Sequence, residues 1–388
     1  MKRGLLVAML SAILLVVAAC TREVEVVKQV EVIKEVVVTP TPRPTLAPPA
    51  PRNLTVLVGE GQDTVVISQF LPKTVRIRAG DTVTWKINTD ESHTVTFLSG
   101  DEPPDFAIPV PGGGPKDLML NPKAIFPTLS PGAAAETYSG TGYYNSGIMY
   151  KNPPSPSSPP NDSFTLTFDT PGSYDYVDLR HPLMKGTVIV EEAVNIASIP
   201  DQFSRLLPKI PHQADIDAQA DKELIPLLVQ IDKSREVGRT ARSETGPHGT
   251  TIWHVQAGAV YIEPAAELLE FLPKELTVRE GDTVTWTAKT VHSVNFHPGR
   301  PHPQLIVAKF QGSHGPPLLT INPEIAFPTK PSGVFDGTGF WSSGYLGAAA
   351  LPGGTTYSMT FSKPGSYKYS CAIHRDLGME GTITVVPR

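Results

Sequence analysis

Four residues have the types and spacing to hold a metal ion. Cys371-Ala-Ile-His374-Arg-Asp-Leu-Gly-Met379 follows directly on GSYKYS near the C-terminus, and His292 opens a separate strand-like run with Val294 and Phe296 on its face. One thiolate, two imidazoles and a weak axial thioether form the donor set of a blue (type 1) copper site, whose chemistry is one-electron transfer. Zinc can enter such a pocket, but the thioether favours copper. Only two cysteines occur, Cys20 and Cys371. An unpaired thiol in an exported protein is an oxidation liability, and a bound metal is the simplest way to hold it.

Positioning these donors requires a β framework, and the sequence supplies one twice. PKTVRIRAGDTVTWKINTDESHTVTFLSG (72–100) returns as PKELTVREGDTVTWTAKTVHSVNFHPG (273–299), LNPKAIFPT (120–128) as INPEIAFPT (321–329), and SGTGYYNSG (139–147) as DGTGFWSSG (336–344). SFTLTFDTPGSYDYVDLRHPLMKGTVIV (163–190) returns as TYSMTFSKPGSYKYSCAIHRDLGMEGTITVV (356–386) in the same order, so the chain contains a duplicated unit. Leu276 and Val278, Val284 and Trp286, Tyr357, Met359 and Phe361, and Tyr367, Tyr369 and Cys371 alternate with their neighbours at period two. Short alternating strands with Gly/Pro turns predict an antiparallel β-sandwich. Between the copies, 216–236 contains helix formers interrupted by Pro226, which predicts two short helical pieces or a kink, and 239–250 reads as a loop.

GDTVTW at 281–286, the His292-Ser293-Val294 start and PGSYKYSCAIHRDLGM at 364–379 resemble the cupredoxin family, which includes plastocyanin, amicyanin and azurin. The Cys-x2-His-x4-Met spacing is plastocyanin-like. The resemblance implies an all-β fold of two tandem Greek-key sandwich domains, 54–192 and 250–388, joined by a partly helical linker, 193–249. It implies one copper per chain on His292, Cys371, His374 and Met379. In this family the histidine in the position of His374 lies near the surface in an apolar patch, where redox partners dock transiently and electrons leave. Ser293 departs from the family, which often carries an Asn there to brace the ligand loops, so the rigidity of the site is open.

The first copy aligns Asp178 with Cys371, while His93, His181 and Met184 are kept and the loop after Asp178 is shorter. Without a thiolate no blue site forms, so the expectation is a degenerate, copper-free site. A His/Asp/His site for another metal is the alternative.

The N-terminus sets the location. Met1-Lys2-Arg3, an apolar run to Ala19 and then Cys20 resemble a bacterial lipoprotein signal at 1–20, with Cys20 lipidated. Residues 21–53 are then a low-complexity, Pro-rich stalk, extended or disordered, that lifts the rest off the membrane. The expected location is the cell envelope: lipid-anchored on the outer face of the cytoplasmic membrane, or in the periplasm. A net charge of -5 without a basic block gives nucleic-acid binding no support. The remaining histidines form no His-x-His or His-Cys-His pair, so the additional coppers of an oxidase or nitrite reductase lack ligands. The expected function is electron transfer without catalysis; copper delivery without redox turnover is the second reading.

Overall fold

The computed structural model describes residues 50–153, 158–193, 209–262, 264–310, 317–347 and 351–388. Cys20, the signal segment and most of the expected stalk lie outside them. The described residues belong to one compact unit. Arg52 and Asn53, assigned above to the end of the stalk, already belong to the fold: Arg52 pairs with Asp81, and Asn53 begins the first strand, Asn53–Gly61.

The alternation read from the sequence appears as alternating burial in strands such as Thr82–Thr89, Lys185–Glu191 and Glu380–Val386. One face of each therefore enters a core. Trp85 and Trp286 are fully buried at equivalent positions and each stacks edge-on against a buried tyrosine, Tyr176 and Tyr369 respectively. Each repeat also builds the same five-stranded sheet. In the first the order is Thr74–Arg78, Lys185–Glu191, Gly172–Val177, Thr96–Phe97, Tyr144–Asn145; in the second it is Glu275–Arg279, Glu380–Val386, Gly365–Ser370, Asn295–Phe296, Trp341–Ser342. Spatial neighbours distant in sequence require the crossovers of a Greek key.

The sheets are mixed rather than purely antiparallel. Asn53–Gly61 runs parallel to Thr82–Thr89, and Thr251–Val260 runs parallel to Thr283–Ala288. Period-two alternation reports which face is buried, not strand direction, so the sequence pattern could not reveal this.

The repeats also share sheets. Val65–Leu71 pairs antiparallel with Ala266–Leu272, which joins both repeats into one eleven-stranded sheet. A four-stranded sheet is likewise completed by strands from both, through Thr320 and Met119.

Across the first junction lies one continuous helix, Gln213–Gly238, which runs through Pro226 instead of dividing there. Proline in a helix interior costs ~3 kcal/mol. Ile216, Leu227 and Ile231 are each at most 5% exposed, and such side chains contribute roughly 1.5–3 kcal/mol apiece, so packing outweighs the local penalty. The segment after the helix, expected to be a loop, contains a strand, Arg242–Thr245, paired with Thr251–Val260.

Candidate metal centre

Cys371 comes immediately after Gly365–Ser370. Its backbone N–H donates to Met379 O at 3.0 Å, and Met379 N–H donates to His374 O at 3.1 Å. A single 3-10 turn, Arg375–Leu377, ends at Gly378 with φ +94°, which tightens the loop. His292 lies just before the strand Asn295–Phe296 rather than within it, tied to Leu346 by backbone hydrogen bonds of 3.1 and 2.8 Å. These constraints bring together the residues expected from the sequence.

Nδ1 of His292 and Nδ1 of His374 are 3.1 Å apart, and Cys371 Sγ lies 3.8 and 3.6 Å from them. A triangle with those edges has a circumradius of ~2.0 Å, the length of a metal–imidazole bond. Cys371, His292 and Met379 are fully buried. The donor set and its spacing therefore fit a soft transition-metal ion. Burial pushes the Cys371 thiol up, but His374 and His292 outweigh it and hold it well below the usual thiol range. Burial likewise presses His292 down, but Glu267 and Cys371 raise it to about 10. The pocket favours a thiolate.

Ser293 resolves the question of rigidity. Its Oγ accepts from Ala372 N–H at 2.9 Å and from Asn295 Nδ2 at 2.8 Å, and lies 3.9 Å from Cys371 Sγ. Asn295 Nδ2 also donates to Ser370 O at 3.1 Å. A Ser–Asn pair two positions apart thus braces the two ligand segments.

Two carboxylates near the ligands were missed from the sequence. Glu267 Oε1 lies 2.7 Å from His292 Nε2. An acidic residue inside the apolar strand AELLEFL was the available signal. Glu91 of the first repeat lies 4.0 Å from His374 Nε2 and pairs with Arg180 at 2.6 Å. No local pattern announces a contact across repeats. His374 is consequently only 8% exposed, with the Glu91 carboxylate beside it.

In the first repeat, His93, Asp178 and His181 also converge. Here the carboxylate stands between the imidazoles: Asp178 Oδ2 lies 2.6 Å from His93 Nδ1 and 2.9 Å from His181 Nδ1. Oδ1 accepts from Thr94 N–H, Thr94 Oγ1 and Arg180 N–H. Burial raises the Asp178 carboxyl, but the two histidines outweigh it and hold it far below the usual range. Burial lowers His93, and its hydrogen bond to Asp178 opposes that shift. Hydrogen bonds engage both Asp178 oxygens and both Nδ1 atoms, while His93 Nε2 is buried without a partner, and Met184 packs into the core.

A family model described as copper binding proteins, plastocyanin/azurin family, matches residues 343–386, the segment that holds Cys371, His374 and Met379. Over that segment the chain is similar to the plastocyanin/azurin copper-binding family. Among curated proteins the chain is similar to amicyanin-alpha of Methylorubrum extorquens, 28% identical over 123 residues, which cover 32% of this chain and 65% of that protein. It thus spans less than two thirds of that relative. Among solved structures, a Cu(I) form of an amicyanin variant is 20% identical and covers 38% of this chain and 86% of its own, with a TM-score of 0.21. A purple cupredoxin from Nitrosopumilus maritimus is 19% identical, covers 36% and 99%, and gives a TM-score of 0.20. Copper is the ion on which the description of the matching family and the donor chemistry of this site agree.

Proposed function

We propose that the protein is a membrane-anchored blue-copper electron carrier with a single copper in the second repeat. His292, Cys371, His374 and Met379 would hold it. The triangle of two Nδ1 atoms and one thiolate carries this reading. Copper supplies the one-electron couple. The protein's part is to keep the donors fixed, so little rearrangement accompanies the change of charge, and to exclude water from them. Burial of the thiolate and both imidazoles supports retention of the ion over delivery.

The segments 54–192 and 250–388 are the two cupredoxin-like units, and 193–249 connects them. The first is a structural cover whose degenerate cluster takes no copper. Redox partners dock weakly near His374, over the seam where Glu91 and Arg180 adjoin it, since redox encounters bury small areas. Lipid on Cys20 holds the molecule at the membrane of the cell envelope. Among the described residues no helix is long and apolar enough to cross a membrane.

Loading residues 46–388, the compact unit, with Cu(II) tests the reading. One copper per chain with an intense visible band, lost in Cys371→Ser and kept in His181→Ala, is expected. A colourless protein, or one that takes several coppers, overturns it.

A further inference from the structure

The duplication offers an internal comparison at the buried histidine. Val66 and Glu267 occupy the same place relative to Leu71-Pro72 and Leu272-Pro273, and both precede the corresponding alternating strand positions. In the first repeat the buried Val66 offers no acceptor, and His93 Nε2 is buried without a hydrogen-bond partner. Its other nitrogen, Nδ1, is engaged by Asp178. In the second repeat the arrangement is reversed. Glu267 takes His292 Nε2 at 2.7 Å, Thr290 Oγ1 adds a hydrogen bond to the same carboxylate oxygen, and Nδ1 faces Cys371 and His374.

An imidazole that donates from Nε2 presents a bare Nδ1, the form a metal requires, while one that donates from Nδ1 does not. In the first repeat Asp178 thus takes the nitrogen that in the second faces Cys371, and Nε2, which Glu267 takes there, has no acceptor. The swap is coherent.

We propose that Glu267 is a positioning residue of the copper site, which orients His292 through Nε2 and places a negative charge behind it. This rests on the blue-copper reading above. Glu267 does not touch the ion; it acts through the ring. Its charge favours the more positive, oxidised metal and so lowers the reduction potential.

Glu267→Gln keeps the shape and an acceptor oxygen without the charge; Glu267→Val installs the residue the first repeat already buries at this position. The full chain and both variants, loaded with copper, are compared by redox titration, by competition with a copper chelator and by histidine 15N NMR of the diamagnetic Cu(I) form. The expected results are a raised potential with a retained blue band in Glu267→Gln. Glu267→Val should show a higher potential still, a roughly 10–100-fold loss of copper affinity and a displaced Nε2–H resonance of His292. Unchanged potential and affinity in both variants would overturn the role of Glu267 while leaving the copper reading intact. A wild-type protein without one blue copper would overturn both.

Discussion

Glu91 Oε2 of the first repeat lies 4.0 Å from Nε2 of His374, the more C-terminal histidine of the proposed copper site, and Glu91 Oε1 is held by Arg180 at 2.6 Å. The degenerate repeat thus contributes charged residues to the edge of the intact one. Glu91 is only 3% exposed, so its electrostatics are little screened.

That relationship predicts acid sensitivity. Burial raises the Glu91 carboxyl, but Arg180 first, then His374, outweigh it and pull it down to about 2 from an ordinary 4.5. A carboxylate with a depressed folded value contributes stability above its unfolded value, and that contribution is lost as pH falls from about 4.5 through about 2. Glu91→Gln should lose on the order of 3 kcal/mol at neutral pH and show a flatter acid limb. Denaturant unfolding between pH 7 and 3 measures both; parallel curves for variant and wild type would refute the coupling.

A glycine far from the ligands in sequence is expected to control the copper. Gly258 has φ +71°, and a Cβ there would collide with His292 Nε2 and stand 2.6 Å from Glu267 Oε1. Gly258→Ala should displace the ring and abolish or alter the blue band. Gly249, with φ +74° and open space where a methyl would project, is the control. Gly249→Ala should cost only about 1–2 kcal/mol of backbone strain and leave the spectrum alone. Visible spectra of the two copper-loaded variants decide the matter.

Ser293 should tune the thiolate. Its Oγ lies 3.9 Å from Cys371 Sγ while anchoring Ala372 N–H. Removing the hydroxyl in Ser293→Ala leaves more electron density on sulfur for the oxidised metal, so the reduction potential should fall. Loss of the brace to Ala372 should also cost about 1 kcal/mol in thermal unfolding. A redox titration showing a rise would contradict the assignment.

Much of the site was legible in the chain alone. Cys371, His374 and Met379 lie within one loop, and His292 lies in a repeat whose boundaries the duplication marks, so local order along the chain was enough to select them. The alternation of Thr82–Thr89 and Glu380–Val386 likewise dictated buried faces, because successive side chains on a strand point opposite ways. The helix Gln213–Gly238 was only partly legible. Pro226 is a local signal, whereas the burial of Leu227 and Ile231 against strands of both repeats is a tertiary one, and it is larger.

The amino-acid sequence by itself determined the duplication and the β framework and singled out the four proposed donors, since each depends on residue type, period or short spacing. Only the tertiary structure decided what stands behind the donors: Glu267 on His292, Ser293 and Asn295 across the ligand segments, and Glu91 with Arg180 beside His374. The first and last of these contacts join residues from separate strands or separate repeats. Their partners are set by how the sheets pack, and no pattern confined to one segment carries that information.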